Sequence, residues 1–198
     1  MKKVFMSGEL SRYRKYNLNE SRSAVESHNY KLADSHSAYA KRKVTVFISH
    51  KHDDLTDLQD LIGFLEEKYD VQCYIDSRDP SMPDTTSGET AKIIKKRIID
   101  CDKFILLATN RAIASKWCNW ELGFGDAHKF KKHIALFPFE RGYERFDGNE
   151  YMEIYPHIVK YTEYDYVNGK FVEPGYYVYS TDSSGGINLE PLESWLES

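Results

Sequence analysis

Between positions 43 and 140 the hydrophobic residues fall into runs that switch repeatedly between two periods. Val44-Thr45-Val46-Phe47-Ile48-Ser49 is a short β-branched run bounded by polar residues, as expected of a strand buried on both faces. Leu55, Leu58, Leu61, Ile62 and Leu65 then recur at three and four, which predicts an amphipathic helix. Val71 to Ile75 predicts a second strand, followed by a loop holding Pro80, Pro83 and Gly88. Ala91, Ile94 and Ile98 mark a helix face, Phe104 to Ala108 a third strand, residues 117–130 a further helix and Ile134 to Phe137 a fourth strand. Strands alternating with helices of this length predict βαβ units around a parallel sheet.

Outside that stretch the texture changes. Residues 1–42 are polar, and Leu18, Val25, Leu32 and Tyr39, spaced by seven, predict a helical extension with a narrow apolar stripe. From residue 141 onward tyrosines crowd the chain. Tyr166-Val167-Asn168-Gly169-Lys170-Phe171-Val172 sets Asn-Gly between β-formers, a hairpin signal. Tyr176 to Tyr179 predicts another strand, Ser183 to Gly186 a turn and Leu189 to Leu196 a terminal helix. The expected organisation is an N-terminal extension (1–42), an α/β core (43–140) and a C-terminal elaboration packed on that core (141–198). Tyr164, Tyr166, Tyr176 and Tyr177 are candidates for shaping a pocket, the alternative being plain packing at the sheet edge.

Composition narrows the function classes. A chain of 198 residues with 41% hydrophobic content can bury a core without staples. Its net charge of −4, with both signs mixed, offers no basic face for nucleic acid. No apolar run reaches membrane-spanning length, and MKKVFMSGEL lacks the apolar region and cleavage site of a secretory leader. Cys73, Cys101 and Cys118 are odd in number and far apart, so they read as core residues in a reducing, cytoplasmic setting.

In an open parallel sheet, ligands bind at the carboxyl ends of the strands. The loop Ser49-His50-Lys51-His52-Asp53-Asp54 approaches an HxHxDH metal pattern, but Leu55 stands where the last His belongs, and no metal is expected. Asp53 or Asp54 is instead expected to cap the following helix. A phosphorelay receiver would need an acceptor Asp after the third strand, where the chain has Ala108-Thr109-Asn110. Neither GxxxxGK[ST] nor GxGxxG occurs.

Ser115-Lys116-Trp117-Cys118-Asn119-Trp120-Glu121 resembles the SxWCxxE motif of the TIR (Toll/interleukin-1 receptor) domain family. Val46-Phe47-Ile48-Ser49-His50 is similar to that family's box 1, and Asp76-Ser77-Arg78-Asp79-Pro80 resembles the start of its BB loop. The resemblance spans residues 43 to about 140, with a BB loop that departs by carrying two prolines and a glycine displaced to position 88. It implies a flavodoxin-like fold, a central parallel sheet flanked by helices. It also implies an NAD glycohydrolase or ADP-ribosyl cyclase with Glu121 as catalytic carboxylate and NAD as substrate, without a cofactor. Ser49, His50, Lys51, Asp76, Arg78, Ser115, Trp117 and Cys118 are the substrate-binding candidates that the matching motifs supply. Homo-oligomerisation through TIR–TIR contacts and a downstream effector that reads a nucleotide product, as in Thoeris-like antiphage defence, follow from the same resemblance. The family also contains non-catalytic adaptors that act by homotypic docking. For Glu121 the plainer alternative is a surface acid complementing a helix N-terminus.

Overall fold

The computed structural model describes residues 3–14, 42–75, 87–129, 131–142, 144–148 and 150–198. The expected stripe through Leu18, Val25, Leu32 and Tyr39, and the loop holding Asp76 and Arg78, lie outside them. The strands are β1 (Phe5–Met6), β2 (Thr45–Ser49), β3 (Gln72–Tyr74), β4 (Lys103–Ala108), β5 (Ile134–Glu140), β6 (His157–Tyr161), β7 (Tyr166–Val167), β8 (Lys170–Phe171), β9 (Gly175–Thr181) and β10 (Ile187–Pro191). The helices are α1 (Leu55–Tyr69), α2 (Gly88–Asp100), α3 (Asn110–Ala114), α4 (Lys116–Lys129) and α5 (Leu192–Glu197). No helix among the described residues is long and apolar enough to cross a membrane.

One sheet runs β10-β9-β6-β5-β4-β2-β3, parallel from β3 to β6 and antiparallel at β9 and β10. The first strand of the core, β2, lies between β3 and β4, so the strand order reverses there. This is the doubly wound, flavodoxin-like order, whose crevice opens at the carboxyl ends of β2 and β4. β1 joins the sheet beside β5, pairing Phe5 with Phe139 and Met6 with Glu140, while β6 pairs with β5 lower down through Leu136 and His157.

Alternation along each strand sorts the core into two layers. Val46, Ile48, Ile105 and Phe137 point to the side covered by α1, the N-terminal segment and α5. Phe47, Phe104, Leu106 and Leu136 point to the side covered by α2, α3 and α4. Because both faces are covered, these strands read in sequence as continuous apolar runs.

Residues 3–14 are fastened to α1 by charge and by close approach. Asp60, fully buried, accepts two bonds from Arg14, from Nε at 2.6 Å and Nη2 at 2.9 Å. Buried Asp57 accepts from Ser7 Oγ at 2.7 Å and from Arg141 Nε at 2.5 Å. A Cβ added to Gly63 would stand 1.8 Å from the Tyr13 carbonyl oxygen, so only glycine lets the two backbones meet there.

The C-terminal region differs from the sequence expectation at β6, which was not predicted, and at its end. The helix predicted from Leu189 begins only at Leu192, and Ile187–Pro191 is a strand instead. Leu189 and Glu190 pair with Tyr179 and Val178. Pro191, at the N-cap of α5, marks the switch, since a residue without an N–H suits a helix start better than its interior. The Asn168-Gly169 turn is present, both residues having positive φ (50° and 74°) as a type I′ turn demands.

Candidate active site

Ser49 ends β2 and Ala108 ends β4, so the crevice predicted by the strand order lies over these two residues. Helix α4 crosses it. The helix buries Cys118, Glu121, Leu122 and Gly125 along one face, the spacing of a 3.6-residue repeat. Glu121 is therefore not a surface acid at a helix start: it lies in the second turn, 1% exposed, and points into the protein. Its Oε2 accepts a hydrogen bond from Ser49 Oγ at 2.5 Å, and Ser49 is itself fully buried. The hydroxyl therefore fixes one carboxyl oxygen of Glu121 directly, out of contact with solvent.

Two further contacts lock the helix to the loop after β2. Cys118 Sγ donates to the His50 carbonyl at 3.3 Å, and His50 Nδ1 lies 3.3 Å from the Ile48 carbonyl, a contact that needs the proton on Nδ1. At the helix start, Ser115 Oγ accepts from the Cys118 amide at 3.4 Å, and its carbonyl accepts from the Asn119 amide at 3.1 Å. Ser49, His50, Ser115, Cys118 and Glu121 thus form one connected group. Lys51 is half-buried beside it, and its carbonyl accepts from the Asp54 amide. Trp117, one turn before Glu121, is half-buried with its ring 5.0 Å from that of Trp120. Trp120 continues to Phe124, and Phe124 to His128, as a stacked ladder along the helix. Asp76 and Arg78 lie outside the described residues.

The acids of the first loop do something the sequence reading did not foresee. Neither Asp53 nor Asp54 caps α1 through its side chain. Asp54, fully buried, accepts from Thr109 Oγ1 at 2.5 Å and pairs with Arg141 at 2.8 Å. Burial pushes its carboxyl above the usual carboxylate range, and the Thr109 bond and the Arg141 charge pull it part of the way back. Thr109 in turn accepts from the Ala112 amide at 3.0 Å and so caps α3. Arg141 also holds Asp57, which makes it a strap from the end of β5 across the entry to α1. The available signal was the spacing: Asp54, Asp57 and Asp60 recur at three on the apolar side of the helix, where a solvated charge does not belong.

The arrangement presents a buried carboxylate held at a fixed angle at the switch point of an α/β sheet. An ionised carboxylate removed from water costs several kcal/mol unless other groups offset it. Such groups concentrate at functional sites.

Comparison with known proteins fits this geometry. The chain is 29% identical over 137 residues to a protein named probable 3′ cyclic ADP-D-ribose synthase ThsB′ from Bacillus cereus (strain MSX-D12), a match covering 66% of this chain and 69% of that one. Residues 46–150 match the TIR domain, a span that begins within β2, takes in both Ser49 and Glu121, and includes Arg141. With more than half of its length in that match, the chain belongs to the TIR domain family.

Proposed function

We propose that this protein cleaves the bond between nicotinamide and ribose in NAD, with Glu121 as the carboxylate that stabilises the transition state. The observation that carries this reading is the burial of Glu121 at the switch point with its Oε2 held by Ser49. Nicotinamide departs from a cationic glycoside as a neutral pyridine, so its departure needs no general acid, unlike that of an ordinary sugar. One carboxylate then suffices, placed where the ribosyl carbon gains positive charge as the C–N bond breaks. Ser49 holds the carboxylate directly, and the Cys118–His50 contact fixes the helix that carries it, which makes Ser49 a positioning residue in this reading. Trp117 and Lys51 stand at the edge of the same group, as candidates for contacting the nucleotide, and Asp76 and Arg78 as candidates for closing the site.

The relative's name, a 3′ cyclic ADP-ribose synthase, supports a cyclic product here. In cyclisation a hydroxyl oxygen of the same molecule bonds to the ribosyl carbon as nicotinamide takes the C–N electron pair, and the hydroxyl proton is released. Hydrolysis instead delivers the oxygen of water to that carbon. The first route requires the closed site to keep water from the ribosyl carbon. The biological reading that goes with this is a cytoplasmic antiphage signal, made by TIR–TIR assemblies and read by a separate effector.

The test is turnover of NAD in ¹⁸O-labelled water with mass analysis of the products. A cyclic product without label, released together with nicotinamide, supports the proposal in full. Labelled ADP-ribose would keep the glycosidic cleavage and overturn the cyclisation. NAD left intact even at high protein concentration would favour a docking adaptor.

A further inference from the structure

A second concavity lies on the same face of the sheet as Glu121. Cross-strand pairing joins Ser49 to Leu106, Leu106 to Leu136, Leu136 to His157 and His157 to Tyr179 in one row, and directly paired residues share a face. His157 and Tyr179 form part of the lining of a pocket of about 520 Å³. From Ser49 on β2 to His157 on β6 the row takes three strand spacings of about 4.8 Å, roughly 14 Å in all. The pocket and the Glu121 group have no residue in common.

Pro138 on β5 and His157 and Val159 on β6 bring the parallel sheet into the lining, and much of the rest comes from additions to it. Lys3 and Val4 precede β1, Tyr166 and Asn168 belong to the β7–β8 hairpin, and Tyr179 and Thr181 lie on the sheet extension. Aromatic rings supply much of the wall, with Tyr155, Tyr161 and Tyr179 deeper and Tyr166, 65% exposed, at the rim. The one lysine in the lining is already committed. Lys3 Nζ pairs with Asp165 at 2.5 Å and sits 4.4 Å from the centroid of the Tyr161 ring. The pocket therefore offers ring faces, hydroxyls, a side-chain amide, the His157 imidazole and the Glu153 carboxyl, but no lysine or arginine reserved for phosphate.

We propose that this pocket is a second ligand site, taking a nucleoside: an uncharged heteroaromatic base with a hydroxylated sugar. Flat tyrosine faces bind any heteroaromatic ring by stacking. Asn168, Ser180 and Thr181 carry donors and acceptors suited to sugar hydroxyls. The volume falls within the range of small-molecule sites. Tyr155 is the wall shared with the rest of the protein. It lines the pocket and is buried in the same apolar cluster as Leu122, the residue after Glu121 on α4. An occupant pressing on Tyr155 thus has a packed path to the helix that carries Glu121.

The test is calorimetric titration of the whole protein with adenosine, and separately with inorganic phosphate. Neither readout depends on NAD turnover, so this proposal can fail while the proposed reaction stands, and the reverse. Saturable adenosine binding is expected, weakened ~10-fold or more by Thr181→Trp, which fills the pocket from an exposed position. Tyr166→Ala, at a rim position too exposed to unfold the chain, should weaken it ~5-fold through lost stacking. Glu121→Gln should bind adenosine as the wild type does, and phosphate should neither bind at the pocket nor displace adenosine. No adenosine binding, or binding that survives both Thr181→Trp and Tyr166→Ala, would overturn the site. Displacement by phosphate would overturn the uncharged ligand class.

Discussion

Ser49→Ala probes the contact on which the site depends. The substitution removes the hydroxyl that donates to Glu121 Oε2 at 2.5 Å, and both residues are sealed from solvent, at 0% and 1% exposure. Water has little room to replace the lost donor. A hydrogen bond to a charged group contributes about 1.5–3 kcal/mol. If the carboxylate must be held for the transition state, that range lowers kcat by about 10- to 150-fold. KM should move by less than about threefold, because a positioning residue that does not touch substrate leaves ground-state binding alone. The same loss leaves a buried acceptor short of a partner, so the melting temperature should fall by about 3–10 °C in a chain of this size. Steady-state kinetics on NAD with a thermal melt alongside give both numbers. Ser49→Thr, which keeps the hydroxyl and suits a strand, should recover most of kcat. A Ser49→Ala protein with wild-type kcat, or one whose whole defect lies in KM, would refute the positioning role.

Two other perturbations test the fold around the site. Gly63→Ala drives a methyl to within 1.8 Å of the Tyr13 carbonyl. It should force residues 3–14 off α1, break the Arg14–Asp60 pair and destabilise by about 3 kcal/mol. Urea unfolding with a midpoint equal to wild type would contradict the close packing. Lys103 is buried against Trp195 and donates to Ser198 O and Oγ, each at 2.9 Å, and burial pulls its ammonium down to about 8 from 10.5. Between those values the unfolded chain holds more protons, so this group makes the native state more stable as pH rises from about 8 to 10.5, by at most about 3 kcal/mol. Subtracting the stability–pH curve of Lys103→Met from that of wild type should isolate the rise; parallel curves from pH 7 to about 10.5 would show that Lys103 titrates alike in both states.

The parts legible from sequence were those in which local pattern and tertiary environment agree. β2 and β4 are unbroken apolar runs because both faces are covered, and α1 keeps its three-and-four spacing because one face packs on the sheet. β6 was not foreseen: His157-Ile158-Val159-Lys160-Tyr161 follows a proline and mixes charge with apolar residues, and its place depends on β5 and β9 rather than on its own propensity. β10 was misread because Leu189, Leu192, Trp195 and Leu196 have helical spacing, although the first of them serves a strand. At the site, motif resemblance singled out Glu121 and Ser49, but not that the two bond to each other across 72 positions. The Arg141 strap escaped notice for the same reason. Its partners, Asp54 and Asp57, are distant in sequence and adjacent only once β5 and α1 are in place.

In the proposed mechanism one buried carboxylate breaks the nicotinamide–ribose bond. The most direct test compares purified wild type with Glu121→Gln, incubated with NAD at matched high concentration and followed by nicotinamide release. Wild type should release nicotinamide steadily and the variant should lose about 100-fold or more, with an unchanged fold by circular dichroism. Equal release by the two proteins would remove Glu121 from the chemistry and with it the mechanism proposed here.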